Sequence, residues 1–365
     1  MIESLAAQST AVRHGGQLDR REASLRLVRE ALALGPDQAT LQRLRNEAIA
    51  ALALPATRIV LPEHLPPSGD AMMLCIDPNF TTGTVMAADD HLRLIRLADG
   101  VELRRLSIRS RTADQVQDLG ADGRFLMLRR GQRSFLWNLD HDREVPGVEA
   151  ATGLGMLRED GGTFCRGEAG GLACYSLPDL ARTFVAIAGM PADISIVAAL
   201  DEDRVIVGLA NNELAVAELS SARLLWRQRV GRIAALAVAP DRRHVAAGCS
   251  DGRIHVVDVA SGEPATSFSG FGEYIIGLTF DRTGGQLIAA DIPGTLRSYG
   301  LPAGELLLKQ QLLTWQLRLD PTGTRLGPIR QGDRFGWLEI EPARVIRTLR
   351  PVRVAAEPRL ARVSP

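Results

Sequence analysis

Within HVAAGCSDGRIHVVD, residues 244 to 258, the chain places His244, Cys249, Ser250, Asp251, His255 and Asp258. These are the residue types of a nucleophile, a base and an orienting carboxylate, so the stretch raises acyl transfer or hydrolysis as a question. That chemistry requires the groups to converge in space beside oxyanion donors. The flanking residues point elsewhere. If 244 to 249 and 253 to 258 are strands, successive side chains alternate between faces, and Ser250 and Asp251 fall in the connecting hairpin with no histidine placed as their base. Asp251-Gly252 is a strong hairpin pair in its own right. The expectation is a strand, a turn and a strand.

The other chemical candidates resolve in the same direction. GGTFCRGEAGG, residues 161 to 171, has the glycines of a phosphate loop but lacks the Gly-Lys-Ser/Thr ending and the helix that must follow. His14, His64, His91, His141, His244 and His255 show no short metal-ligand spacing. Cys75, Cys165, Cys174 and Cys249 are too few for a disulfide scaffold and lack the paired spacing of a zinc site. Cys165 and Cys174 flank Gly170-Gly171 almost symmetrically and face each other across one hairpin. Directly opposed strand positions are often too far apart for a relaxed bridge, so two small apolar side chains are expected. No metal and no cofactor are expected.

The chain has 365 residues, 45% of them hydrophobic and 24% charged, enough to bury a full core. Its 43 basic and 43 acidic residues balance, which removes the broad positive field of a protein that holds nucleic acid through phosphates. No run of eighteen apolar residues appears, and MIESLAAQST lacks the features of a secretory signal. A chain without a membrane span, acting in the cytoplasm, is the expectation. Nothing in the pattern sets an oligomeric state.

Two regions differ in period. Residues 1 to 56 read as helical: in GPDQATLQRLRNEAIAAL, Pro36 and Asp37 give a start signal, and Leu41, Leu44, Ala48 and Leu52 recur on one face. RREASLRLVREALAL repeats this with Ala23, Leu27, Ala31 and Leu34, and a third helix is expected from Glu3 to His14. So short a bundle has little core of its own and must pack on something else. Residues 57 to 70 form a Pro- and Gly-rich connector, with TRIVLP at 57 to 62 as a possible ring-closing strand.

From 71 to 353, short runs of Val, Ile, Leu and Ala are broken by polar turns at a regular interval. Turns between a second and a third strand fall at Asp89-Asp90, Gly131-Gln132, Gly170-Gly171, Asn211-Asn212, Asp251-Gly252, Pro293-Gly294 and Gln331-Gly332, about 40 residues apart. An earlier turn recurs as IDPNFTTG, GADGR, LREDGG, LDEDR, APDRR, FDRTGG and LDPTG, in which Asp, Pro and Gly supply the local hydrogen bonds and φ values of a tight turn. A later one recurs as LADGVEL, LDHDREV, LPDLART, LSSARLL, VASGEPA, LPAGELL and IEPARVI. Four strands and three turns per unit, repeated seven times, predict an all-β, seven-bladed β-propeller. Residues 354 to 365 are expected to form an exposed tail.

APDRRHVAAGCSDGRIHVVDVASGEP, residues 239 to 264, resembles the WD-repeat pattern of Ser-Pro-Asp-Gly, a small-residue strand, a Ser-Asp-Gly hairpin, a strand ending in Trp-Asp, and a Gly-Glu turn. The resemblance implies a hydrogen-bonded tetrad of His, Ser or Thr, Asp and Trp. Asp251 matches the Asp, but Arg229, Ala247 and Val257 stand at the other three places, and Trp137 in FLWNLD is the clear Trp-type match. The blades must therefore be held mainly by apolar packing. LQRLRNEAIAALAL with Pro55 is similar to the helical neck before the propeller in large bacterial WD-repeat serine/threonine kinases. No Gly-rich loop with a Val-Ala-Ile-Lys strand, no His-Arg-Asp and no Asp-Phe-Gly is present, so the kinase activity does not carry over.

Arginines gather at Arg104-Arg105, Arg109-Arg111, Arg129-Arg133 and Arg347-Arg353. Interleaved acids make most of them solvated edges, while Arg129, Arg130 and Arg133 form a possible interaction patch. The expected function is a non-catalytic protein-interaction scaffold whose partner is another protein. The alternatives are a ligand-sensing or enzymatic site in the central channel, and a remnant of a kinase-associated sensor.

Overall fold

Arg204–Leu209 and Glu213–Glu218 are buried along almost their whole length, whereas Arg223–Arg229 alternates between exposed and half-buried. A strand apolar on both faces must be covered on both faces, and here the cover is the neighbouring sheet on each side. The computed structural model describes residues 1–15, 18–52, 54, 56–67, 75–86, 89–109, 114–121, 123–131, 133–148, 155–158, 162–314 and 316–341.

Three helices, α1 (Ile2–His14), α2 (Arg20–Ala33) and α3 (Gln38–Leu52), precede strand β1 (Ala56–Val60). Blade one contains β2 (Cys75–Ile76), β3 (Thr82–Met86), β4 (His91–Arg96) and β5 (Glu102–Arg109). Blade two contains β6 (Asp114–Leu119), β7 (Phe125–Arg130), β8 (Arg133–Asn138) and β9 (Arg143–Glu144). Blade three contains β10 (Met156–Leu157), β11 (Thr163–Glu168), β12 (Gly171–Ser176) and β13 (Ala181–Ala186). Blade four contains β14 (Ile194–Ala199), β15 (Arg204–Leu209), β16 (Glu213–Glu218) and β17 (Arg223–Arg229). Blade five contains β18 (Ile233–Val238), β19 (His244–Cys249), β20 (Ile254–Asp258) and β21 (Pro264–Phe268). Blade six contains β22 (Ile275–Phe280), β23 (Gln286–Asp291), β24 (Thr295–Gly300) and β25 (Glu305–Gln311). Blade seven joins β26 (Arg318–Leu319), β27 (Arg325–Gln331) and β28 (Arg334–Glu341) to β1, in the order β1-β28-β27-β26.

Every sheet is four-stranded and antiparallel, so the protein is a seven-bladed β-propeller. The ring closes through β1, with Ala56 opposite Glu341 and Val60 opposite Trp337. TRIVLP is expected to join the sheet of FGWLEIE and ARVIRTL; ARVIRTL, at 343 to 349, and the proposed tail at 354 to 365 lie outside the described residues, as do Arg111, Gln132 and the Arg347-Arg353 cluster.

Apolar clusters occupy the seven gaps between adjacent blades. Between blades four and five, for example, Ile206 and Val216 meet Val245, Ala247 and Val257. Small residues set how close the blades come. A Cβ added to Gly167, Gly208 or Gly248 would lie about 3 Å or less from Ile194, Ile233 and Ile275, the first residues of the next blade.

The helices follow the expected order, and their buried faces match the predicted ones in part, through Ala31, Leu44 and Ala48. Asp37 does start α3, accepting the Thr40 N–H at 2.8 Å. Leu34 and Leu41, however, are 42% and 47% exposed, while Ser24, Val28, Ala31, Leu44 and Ala51 are buried. The helices meet through small residues, with Ser9 and Ser24 hydroxyls 2.6 Å apart. Their contact with the propeller buries Arg20 and Arg21, and Leu18 packs against the cluster between blades six and seven. Burial pulls the Arg20 pKa below the ordinary arginine value, with Glu305 opposing the shift.

Candidate functional site

The predicted hairpin residues sit between the second and third strands of their blades and share one backbone conformation. One residue in each of the seven hairpins has positive φ: Asp90 (70°), Gly131 (61°), Gly170 (78°), Asn212 (70°), Gly252 (78°), Gly294 (87°) and Gly332 (66°). Gly, Asn and Asp are the residues that tolerate this region. Where the preceding residue is Asp89, Asn211 or Asp251, its side-chain oxygen accepts the N–H two residues on, at 3.1 to 3.4 Å. Gly171 opens β12.

The 244–258 stretch is β19, a hairpin and β20, and its polar groups are separated. Asp258 caps the outer turn, accepting from Ala260 N, Ser261 N and Ser261 Oγ at 2.8 to 3.0 Å. Asp251 accepts the Arg253 N–H. The Cys249 thiol is buried 3.6 Å from the Val230 carbonyl, and burial pushes its pKa up to about 12. His255 is half-buried, its Nε2 has no hydrogen-bond partner, and burial pulls its pKa below the ordinary histidine value. An un-ionised thiol and a poorly basic imidazole do not make a nucleophile–base pair. GGTFCRGEAGG likewise runs into β11, a turn and β12. Among the described residues, no three His, Cys, Asp or Glu side chains converge as a metal site.

One expectation is overturned: Cys165 and Cys174 form a disulfide. They are direct partners in the β11–β12 ladder with Cα atoms 4.1 Å apart. The close pairs of an antiparallel ladder bring Cα atoms nearer than the hydrogen-bonded pairs do, and the expectation of two unlinked side chains overlooked this.

The positions that depart from the WD pattern pack as apolar residues. Ala247 and Val257 are buried in the cluster between blades four and five, and Arg229 is exposed at the end of β17. The Trp137 indole donates to Asp142 at 3.1 Å in the turn after β8. Asp142 also receives the Ser107 N–H from the neighbouring blade, so this tryptophan helps brace blades one and two.

Arg129, Arg130 and Arg133 lie together at the blade-two hairpin but are engaged within the chain. Arg129 Nε donates to Gly131 O at 2.8 Å, and the Arg130 and Arg133 guanidinium carbons lie 5.1 and 5.5 Å from the Phe135 ring centroid. Arg133 also pairs with Glu144 at 2.5 Å. Arg104 reaches Leu139 O and Asp140 in blade two, and Arg105 pairs with Asp89.

The innermost strands surround a channel of about 1160 Å³, in which Ala, Ile, Leu and Val alternate with charged residues such as Arg158, Asp201, Arg242 and Arg282. Its polar centre, absent from the sequence-based candidates, joins three blades. Asp118 on β6 accepts from Arg318 Nη2 at 2.5 Å and Gln316 Nε2 at 3.2 Å, while Gln316 Oε1 accepts the Ile76 N–H at 2.9 Å. The available signal was a polar residue at an inward position of DQVQDL, but its partners lie about 200 residues away. Neither a family model nor a curated protein matches the chain.

Proposed function

We propose that the protein is a non-catalytic interaction scaffold whose propeller presents rigid loop surfaces to a partner protein. The carrying observation is that its chemistry-bearing side chains serve the turns and blade contacts: Asp251 and Asp258 hold turns, Cys249 is buried as a thiol, and Asp142 braces two blades. Propellers host unrelated activities, so this reading rests on the residues rather than on the fold. The resemblance to WD repeats and the neck-like helices favour descent from a kinase-associated sensor, testable by whether adjacent reading frames encode a kinase. Cytoplasmic action belongs to the same proposal, although the Cys165–Cys174 bridge would be reduced in a typical cytosol.

Cross-linking of the tagged full chain in its native cells, followed by identification of linked peptides, tests the scaffold reading. A recurrent protein cross-linked through propeller loops is the expected result; none above a scrambled-tag control overturns it. A second reading, ligand sensing in the channel, is favoured by the Asp118–Gln316–Arg318 centre, which shares the cavity with Arg158, Asp201, Arg242 and Arg282. A metabolite that raises the melting temperature of the protein but not of Asp118→Asn would support it.

No helix of the described residues is long and apolar enough to cross a membrane.

A further inference from the structure

We propose that the loop face over blades five to seven docks a short acidic and apolar segment of a partner protein, with Tyr274 at its centre. This inference rests on the scaffold reading and gives it a location and a ligand chemistry.

Tyr274, just before β22, has a φ of +25°, outside the conformations ordinarily open to a residue with a side chain. Its surroundings hold it there. The Tyr274 N–H donates to Ser250 O and its carbonyl accepts the Ile292 N–H, both at 3.2 Å. Two residues earlier, the Gly272 N–H is held by Oδ2 of fully buried Asp291 at 3.2 Å, whose Oδ1 accepts the Thr295 N–H at 2.6 Å. Strained residues persist where neighbours over-determine them, and such places concentrate at ligand clamps.

Beside this tyrosine the surface is apolar. Ile292 and Leu313 are 41% and 45% exposed, and neither belongs to the clusters between blades. Pro293 lies 3.7 Å from where a Cβ would stand on Gly272, and Leu313 Cδ2 lies 3.0 Å from the same position on Gly294. Tyr274, Ile292, Pro293 and Leu313 thus form one strip drawn from three chain segments. A lone exposed leucine carries no meaning; a continuous strip against a strained tyrosine does.

The charge at the blade-five edge selects the partner. Arg232 is exposed, its guanidinium carbon lies 5.8 Å from the Tyr274 ring, and it has no carboxylate partner among the described residues. Arg229, exposed at the end of β17 and opposite Glu213 in the ladder, has no carboxylate within ion-pair distance among the described residues either. Glu273 and Asp251 flank the tyrosine as well, Asp251 facing Arg253 at 3.7 Å, which leaves Arg229 and Arg232 as the cations here without an ion-pair partner among the described residues. A guanidinium over an aromatic ring, open to a carboxylate and adjoining an apolar strip, fits a segment with an acid next to Leu or Phe.

The test uses the full chain and two pools of fluorescein-labelled octapeptides, each with Leu and Phe at fixed positions, flanked by Asp in one pool and by Lys in the other. Anisotropy is expected to show the Asp pool binding at least about ten-fold more tightly. Leu313→Asp should weaken that binding by a similar factor, and Arg232→Glu should transfer the preference to the Lys pool. Leu313→Ser is the substitute if Leu313→Asp shifts the melting temperature. Binding of neither pool, or binding indifferent to both positions, overturns the docking site. A partner cross-linked equally to wild type and Arg232→Glu overturns the site and spares the scaffold reading, whereas the absence of any partner removes that reading itself.

Discussion

The Trp226 indole, on the outer strand of blade four, donates to the Val259 carbonyl in blade five at 2.7 Å. Beneath it lies Gly262 at φ +75°, where a Cβ would stand 2.8 Å from the ring. Arg104 reaches Leu139 O in the same way, from the outer strand of blade one to blade two. Gly262→Ala must displace an aromatic ring and strain the turn, so it should cost roughly 1–3 kcal/mol. Trp226→Phe removes the hydrogen bond and part of the ring while leaving the turn unstrained, and should cost about 1 kcal/mol. Urea denaturation measures both; no loss in Gly262→Ala would contradict the steric account.

The equivalent position in other outer turns is not always glycine. Leu180 and Ala222 have φ of 58° and 54°, where Gly262 and Gly304 stand in blades five and six. Ala222→Gly relieves backbone strain of about 1–2 kcal/mol and gives back up to about 1 kcal/mol in unfolded-chain entropy. A net gain of about 0.5–1 kcal/mol is expected, read as a rise in the urea midpoint without a change of slope.

These positions show what the sequence disclosed. Turns that need positive φ were visible wherever Gly, Asn or Asp filled them, and their spacing revealed the seven blades. Phe80, Leu180, Ala222 and Arg242 carry the same conformation under side chains that give no hint of it. The helix faces were legible at Ala31 and Leu44 but not at Ser9, Ser24 and the buried arginines, which no hydrophobic period marks. Ile292 and Leu313 read as ordinary blade residues, since only the ring brings them beside Tyr274. The centre at Asp118 depends on residues from another blade for the same reason.

Asp320 opens the inner turn of blade seven and accepts the Thr324 and Arg325 N–H groups at 2.7 and 2.8 Å and the Thr322 hydroxyl at 2.6 Å. Burial alone would raise its pKa, but these bonds outweigh burial and hold it below the ordinary value of 3.8. A lowered native pKa means that the carboxylate stabilises the fold above that ordinary value and loses this contribution as pH falls through the lowered one. Asp320→Ala should cost roughly 1.5–3 kcal/mol at neutral pH. Asp320→Asn, which cannot titrate, should show a shallower fall in melting temperature between about pH 5 and pH 2. Parallel acid profiles would refute the assignment.

Five register pairs tie β1 to β28. At about 1 kcal/mol net per ladder hydrogen bond, deleting the chain before Leu61 should cost on the order of 5 kcal/mol and leave an open edge prone to self-association. Arg58 pairs with Glu339 at 2.6 Å but its side chain is 71% exposed, so Arg58→Ala should change stability by less than about 0.5 kcal/mol. Calorimetry and light scattering on the two variants separate the ladder from the ion pair.

Cys165 and Cys174 are linked, while Cys75 and Cys249 are free and buried. Alkylation of the oxidised protein after denaturation without reductant should add two labels, and four after reduction. Cys174→Ser should cost up to about 2.5 kcal/mol, the limit for so short a loop. Four labels without reductant would show that the bridge does not form.

The last blade also orders events in time. Strand β1 leaves the ribosome far ahead of β28, since Arg58 and Glu339 are 281 residues apart, and at about 5–20 residues per second the interval is roughly 15–60 s. Throughout it the nascent chain holds an unclosed arc with two bare strand edges, and the helices ahead of β1 have no blade to rest on. Until the clasp forms those edges are open to pairing with other chains, so the closing strand sets the moment from which the finished disc is guarded against self-association.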